Sequence, residues 1–483
     1  MAGAIFFATR GAPNPSIHDE FSYLLAADTF SHARLTNPAH PLWIFFESFR
    51  INQQPTYASM YPPGQGLAMA VGTLLFGDPW FGVWASVVVL SLVSVWALRG
   101  WFPAEWAFIG ALLTATIGCW SYWLSSYWGG AIAATGGALI LGAWPRLERR
   151  PAVRESVLFG LGAAILANTR PYEGGVMTLI AVLSLFRSAK MRPVAPMRVY
   201  LRQALSPAGL VMVATLCWMM FYWWRVTGNA LLSPYVLNMR TYSYHQPFVW
   251  QSDRPVPVYH HELMRRFHAI RRDRWDVRGT WAMIRANTNH YMGWLLLLPF
   301  LGLPWIIRSA RIRGMFIATA GVGIALLPSI WIRPHYLAPA TVGIVGLTVQ
   351  AFRYLTAMRV GGRRVGLLAA YSIIFLWLGF HWVDGMVGLI RFGPIHDWAT
   401  ARAEVQKNLA ENGVQNLVVV RYDENHDPNH EWVYNGADLE NAPVLWVREM
   451  KPEENRALFS FFKGRWVWLL EADRGRLTRY PLP

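Results

Sequence analysis

The chain has 483 residues, 54% of them hydrophobic and only 15% charged, with 26 tryptophans and a formal charge of +16. Soluble domains carry about 25% charged residues, so an ordinary soluble enzyme is excluded, as is a disordered chain, which would be poor in apolar and aromatic side chains. Cys119 and Cys217 both lie in apolar runs, which excludes a disulfide scaffold and a cysteine-based zinc site. In a soluble chain the positive charge would suggest nucleic acid. Here the basic residues cluster between apolar segments, the pattern of membrane topology, and no nucleic-acid partner is expected.

Met1 to Ala8 is apolar but too short to cross a bilayer, and it lacks the basic stretch of a signal peptide. It reads as the remnant of a first helix. A span needs about 20 apolar residues; the candidates are 79–98, 104–121, 127–144, 205–226, 291–307, 314–331, 336–352 and 366–386. Two shorter runs, 155–168 and 174–186, fit either tilted spans or a re-entrant pair. The expected fold is mainly α, a polytopic bundle of about 10–11 spans. Clusters at Arg146/Arg149/Arg150/Arg154, Arg187/Lys190/Arg192/Arg198/Arg202, Arg308/Arg311/Arg313 and Arg353/Arg359/Arg363/Arg364 follow every second segment and place those loops in the cytoplasm. The other side then carries a first outer loop, 10–78, a second, 227–290, and everything after 390. Segment 64–76 would invert this order if it spanned, so it reads as a juxtamembrane helix.

The expected domains are a transmembrane domain, 1–390, and a soluble extracytoplasmic α/β domain, 391–483. The tail has 12 Lys/Arg against 14 Asp/Glu. Its short runs Leu417–Val420, Val444–Val447 and Trp466–Leu470 read as strands, and 397–411 as a helix. The expected location is a plasma (inner) membrane, multi-pass.

His18-Asp19-Glu20 opens an apolar-patterned helix on the outer side, where paired carboxylates are costly unless used or solvated. Equally, Asp19 and Glu20 suit a helix N-terminus, with Ser16 or Asp19 as cap. Tyr61-Pro62-Pro63-Gly64-Gln65 is a proline-fixed helix start with polar groups at Tyr61 and Gln65. Tyr127-Trp128-Gly129-Gly130 reads as interfacial aromatics beside glycines that allow close packing. Arg170 and Glu173 lie in a tight turn between two short apolar helices. Arg170 either takes a phosphate through bidentate hydrogen bonds or pairs with Glu173. Arg333-Pro334-His335-Tyr336 opens another helix on the same side, where His335 offers a phosphate donor, an acid/base group or an anchor. The 227–290 loop, with nine arginines against four acidic residues, suits anionic headgroups. Asp427-Pro428-Asn429-His430-Glu431 reads as a surface turn, with acceptor contact as the lesser alternative. Nucleotide-binding, Gly-x-Ser-x-Gly and His-Glu-x-x-His motifs are absent from the sequence.

These motifs together resemble the membrane-embedded GT-C-type glycosyltransferases, family 39-like: bacterial relatives of protein O-mannosyltransferases and aminoarabinose transferases. The resemblance rests on His18-Asp19-Glu20, on Tyr61-Pro62-Pro63 before a helix ending in Phe76-Gly77, on Tyr127-Trp128-Gly129-Gly130 and on His335-Tyr336-x-x-Pro339, over residues 18 to about 390. It implies a polyprenyl-phosphate sugar donor and an extracytoplasmic site. It also implies inversion at the anomeric carbon and Asp19 as base. Glu20 is the reserve base, and the residues themselves offer His18, Tyr61, Gln65, Tyr127, Trp128, Arg170, Glu173, Arg333, His335 and Tyr336 to the substrates. Many relatives carry Lys or Glu before the diproline, where this chain has Met60-Tyr61, which makes Arg170 the candidate phosphate cation. The acceptor would be an envelope glycan, a lipid or a protein hydroxyl. No cofactor is expected, and the sequence leaves a divalent metal open. The competing classes are a transporter or flippase of lipid-linked sugars, which predicts repeats and midplane polar groups, and a non-catalytic lipid-binding scaffold.

Overall fold

The computed structural model describes residues 2–191, 195–269, 277–293, 295–309, 312–330, 332–391 and 397–481. Arg271, Arg272 and Arg274 of the 227–290 loop, with Arg192 and Arg311, lie outside the described residues. The helices are α1 (Ala2–Arg10), α2 (His18–Ser31), α3 (Gly64–Phe76), α4 (Trp80–Arg99), α5 (Ala104–Cys119), α6 (Tyr122–Ser125), α7 (Ala131–Arg149), α8 (Val153–Ala167), α9 (Pro171–Met191), α10 (Met197–Tyr200) and α11 (Ser206–Thr227). There follow α12 (Pro234–Tyr242), α13 (Glu262–Ala269), α14 (Val277–Tyr291), α15 (Leu303–Arg308), α16 (Arg313–Leu326), α17 (Thr341–Thr356), α18 (Val365–Arg391), α19 (Asp397–Ala410) and α20 (Pro452–Phe461).

Among the described residues four helical stretches are long and apolar enough to cross a membrane: Trp80–Arg99, Pro171–Met191, Met197–Thr227 and Val365–Gly388. Gly64–Phe76, Ala104–Cys119 and Arg313–Leu326 are apolar but shorter. The expected count of spans is thus not matched element by element, for physical reasons. α7 and α17 are rich in small residues and buried along most of their length by neighbouring helices, so they are interior helices of the bundle. Segment 291–307 is not one helix. It is a 3₁₀ stretch, Leu295–Gly302, followed by α15, where Gly302 and Pro304 interrupt regular hydrogen bonding. The run 174–186 belongs to the 21-residue α9, which removes the re-entrant alternative for that segment. The span expected from residue 127 starts at Ala131 instead, because Gly129 and Gly130 have φ of 84° and 144°.

α3 packs between α2 and α4 and leaves Val71, Leu74, Leu75 and Phe76 exposed, an unburied apolar face. α1 docks Phe6 and Phe7 on Trp80, with ring centroids 5.8 and 5.2 Å apart.

The segment between α2 and α3 holds strands the sequence pattern did not reveal. They are β1 (Asn37–Pro38), β2 (Ile51–Asn52) and β3 (Thr56–Ser59), in the antiparallel order β1-β3-β2. The tail forms a second sheet from β4 (Asn416–Arg421), β5 (Val444–Arg448), β6 (Trp466–Glu471) and β7 (Arg476–Arg479), in the order β5-β4-β6-β7. β4 pairs in parallel with β5 and β6, and β6 is antiparallel to β7. β4 and β5 are apolar without alternation because both faces are covered. Val418, Val420 and Trp446 pack on one side with Leu409 and Val405 of α19. Leu417, Val419, Leu445 and Val447 pack on the other with Phe21, Leu25, Phe45, Phe46, Ile51 and Tyr57. One face of the tail sheet is therefore completed by residues 21–57, and this shared core brings the start of α2 against the sheet.

Candidate active site

A cavity of about 660 Å³ opens where the start of α2, the Met60–Pro63 segment, the α8–α9 turn, the ends of α11 and α16, the starts of α12 and α19 and the 429–430 turn converge. Of the residues singled out from sequence, His18, Asp19, Tyr61, Trp128, Arg170, Glu173, Arg333 and Tyr336 line it.

α2 begins after Ile17, whose extended backbone (φ −128°, ψ 143°) offers no side-chain cap, so neither Ser16 nor Asp19 caps the helix as the sequence suggested. In the first turn, at the positive end of the helix dipole, the two carboxylates part company. Asp19 faces the cavity. Its Oδ1 accepts a hydrogen bond from the Tyr61 hydroxyl, and Arg50 Nε stands 3.5 Å away. No hydrogen bond reaches Oδ2 among the described residues, so one carboxylate oxygen is anchored and the other is available. Tyr61 stays a neutral donor, because burial and then the Asp19 charge raise its pKa well above the ordinary value.

Glu20 turns the other way, and the structure corrects its place as reserve base. It is buried and does not line the cavity. Its Oε2 accepts the Tyr127 backbone N–H at 3.0 Å, and Oε1 the Ser16 N–H at 3.3 Å. Burial raises its pKa to about 7, against the pull of those two N–H bonds. Glu20 thus pins the loop that presents Trp128. Tyr127 is itself buried, and Gln65 Nε2 donates to its carbonyl at 3.3 Å. A Cβ at Gly129 would meet Gln65 Oε1 at 2.6 Å, and one at Gly130 the Trp123 ring at 2.2 Å, which is why glycines stand here. Gln65 and Tyr127 therefore shape the site from behind. His335 is likewise buried and outside the cavity lining. Its Nδ1 lies 2.9 Å from the Tyr122 hydroxyl, which also accepts the His335 N–H at 2.9 Å.

Arg170 ends the α8–α9 turn with its guanidinium carbon 4.4 Å above the Tyr336 ring. Among the described residues no carboxylate oxygen comes within 4.0 Å of it, Glu173 included, so the internal ion pair weighed from sequence is not formed. Arg333 is exposed, 6.0 Å from the Trp128 ring centroid.

Sequence reasoning missed Arg50, which has no motif around it and reaches Asp19 only because its own φ of 66° turns the chain there. It missed Tyr434, whose hydroxyl is 2.9 Å from His18 Nδ1. His18 is packed against Phe49 and Phe267 and held neutral by burial and then by the nearby Arg50 charge, with Nε2 buried and, among the described residues, without a hydrogen-bond partner. It also missed Trp398 as a lining residue. The turn expected at 427–431 is exposed at Asp427 and Asn429, and Asn429 and His430 also line the cavity. Among the described residues no three His, Cys, Asp or Glu side chains converge as a metal-binding group.

No family model matches the sequence, and no curated protein matches it. Solved structures do match its fold. ArnT from Cupriavidus metallidurans, bound to undecaprenyl phosphate, superposes with a TM-score of 0.59 at 13% identity over 98% of this chain and 92% of its own. The Archaeoglobus fulgidus oligosaccharyltransferase in its apo form gives 0.56 at 11% identity over 97% of this chain and 68% of its own. The same enzyme tethered to an acceptor peptide gives 0.55 at 12% identity over 94% and 63%. The chain has the GT-C fold. At these identities the fold is what is shared, and the chemistry has to be argued from the cavity.

Proposed function

We propose that the protein is an inverting glycosyltransferase that moves a sugar from a polyprenyl-phosphate donor to a hydroxyl acceptor. The observation that carries this reading is the pairing, in one cavity, of a carboxylate with one oxygen anchored and one that accepts no hydrogen bond among the described residues, and a guanidinium with no carboxylate partner among them. Asp19 Oδ2 takes the proton from the acceptor hydroxyl. The acceptor oxygen bonds to the anomeric carbon opposite the phosphate, and the bond from that carbon to the phosphate oxygen breaks with its electron pair leaving on the phosphate. Arg170 meets the charge that grows there, with Arg333 at the rim. One displacement needs one base, which fits a site where Glu20 is turned away; retention would call for a carboxylate nucleophile as well. The solved ArnT carries undecaprenyl phosphate, a lipid carrier whose apolar tail suits a cavity lined on one side by α11.

The reading includes a topology: residues 1–390 as the membrane domain and the tail as an extracytoplasmic α/β domain, in a plasma membrane. Transfer by the purified protein from a radiolabelled polyprenyl-phosphate sugar pool tests the activity. No transfer from any pool that charges a known enzyme of this kind would overturn it. Uptake of the intact lipid-linked sugar into proteoliposomes without transfer would favour a flippase instead. For topology, Asn429→Cys should be labelled from outside spheroplasts and not from the cytoplasmic side.

A further inference from the structure

The cavity has two unlike walls. At one, Met219 and Trp223 of α11, Leu326 of α16 and Phe248 are apolar, and α11 lies in a stretch able to cross a bilayer. At the other stand Trp398 of α19 and the turn residues Asn429 and His430. Asp19 lines the same cavity. Tyr336, the ring under Arg170, has Asp19 among its charged neighbours, and His18, next to Asp19 in the chain, has His430 among its own.

The second wall is braced. The Trp398 and His430 rings stack at 5.5 Å and 27°. Beneath the turn, buried His426 sets Nδ1 2.7 Å from Asp473 Oδ1 and Nε2 3.0 Å from the His430 carbonyl. Buried Glu431 is tied to Arg448 and to the Tyr422 hydroxyl. Asn429 Nδ2 donates to Asp427 Oδ1 at 2.8 Å, which orients its amide. A turn at a cavity mouth with that much buried support is preorganised, and preorganised polar groups beside an aromatic face suit a ligand more than solvent.

We infer that this wall is the acceptor subsite and that the acceptor it takes is a carbohydrate ring. The inference rests on the reading of the protein as a glycosyltransferase and deepens it. An amphiphilic donor keeps its tail at the apolar wall, which leaves the far wall to the other reactant. That wall offers an aromatic stack, an amide and an imidazole, with the Asp427 carboxylate behind them, Oδ2 4.0 Å from His430 Nε2. A sugar has the matching surfaces, with apolar C–H faces to lie against the edge of the Trp398–His430 ring pair and hydroxyls to reach the exposed Asn429. A hydroxyl so held is presented toward Asp19.

The test is saturation-transfer NMR on the full chain in lipid nanodiscs, with methyl α-mannoside, methyl β-galactoside and methyl β-glucoside as probes and the peptide acetyl-Gly-Ser-Thr-Gly-amide as the competing class. Ring C–H protons of at least one glycoside should receive saturation from the wild type. The effect should fall by about fivefold in Trp398→Ala and in Asn429→Ala, in line with losing one aromatic or polar contact. Asn429 is exposed at the tip of the turn, so its variant carries the test should Trp398→Ala fail to fold. No saturation of any glycoside, unchanged saturation in Asn429→Ala, or saturation of the peptide with the same residue dependence would each overturn the inference. Undecaprenyl-phosphate binding, followed in the same nanodiscs, separates the two readings. Its absence counts against the glycosyltransferase reading, whereas its presence without glycoside binding counts against the carbohydrate subsite alone.

Discussion

Two arginines in different regions of the molecule teach how the same side chain comes to serve structure or ligand. Arg448, at the end of β5, has both a carboxylate and a carbonyl partner. Its Nε donates to the Glu47 carbonyl at 2.7 Å, an Nη pairs with Glu431, and its guanidinium carbon lies 5.6 Å from the Tyr422 ring centroid. Arg170, in the α8–α9 turn, has a ring beneath it and, among the described residues, no carboxylate within 4.0 Å. Removing a charge from water is tolerable only when protein groups or a ligand replace the hydration. The sheet unit supplies that replacement itself, whereas the bundle leaves it to whatever enters the cavity. A buried charge by itself therefore says little about function; its unmet hydrogen-bonding capacity says more.

The largest effect should come from breaking the Arg448 site. Arg448→Met leaves Glu431 buried without its counter-charge and should loosen the sheet unit by roughly 3–5 kcal/mol. Limited proteolysis should then cut within 397–481 earlier than in wild type while undecaprenyl-phosphate binding persists. Unchanged protease resistance would mean the pair is not what holds that unit.

Next in size is the base. Asp19→Asn keeps the shape and the Tyr61 contact but removes the basicity, and turnover of the labelled donor should fall by about 10²-fold or more with donor affinity retained. Near-normal turnover in well-folded protein would take Asp19 out of the chemistry.

Arg170→Lys keeps the charge and loses the fork. Affinity for a non-transferable polyprenyl-phosphate analogue should drop by about tenfold, the scale of one charge-assisted hydrogen bond, with little change in melting temperature. The reverse pattern, a lowered melting temperature with intact affinity, would make Arg170 a second Arg448 and erase the contrast.

The smallest effect concerns Glu20. Its pKa rises from an ordinary 4.5 to about 7 in the fold, so the folded state holds a proton that the unfolded chain has already released. That contribution to stability is fully present below pH 4.5 and is lost as pH rises through about 7. The stability of wild type relative to Glu20→Gln should accordingly decline across that window. A pH-independent difference would show that the Tyr127 and Ser16 N–H bonds keep Glu20 ionised throughout.

The fold class was legible from composition and basic clustering, because the bilayer imposes long apolar runs. The tail's β4, β5 and β6 were legible because a strand covered on both faces has to be apolar along its whole length. The adjacency of Asp19 to a helix start and the exposure of Arg170 to the cavity also followed from local chain patterns. What the sequence could not decide was direction and partnership. Asp19 and Glu20 are neighbours with the same charge, and only packing of α2 between the first-loop sheet and the 126–128 loop sends one to the cavity and buries the other. Arg50, Tyr434, Trp398, Asn429 and His430 reach the site from positions tens to hundreds of residues from Asp19, through a core that the tail sheet shares with residues 21–57. Short-range periodicity reports which face of an element is apolar; it carries no record of which distant element will cover that face, and the cavity is made by that choice.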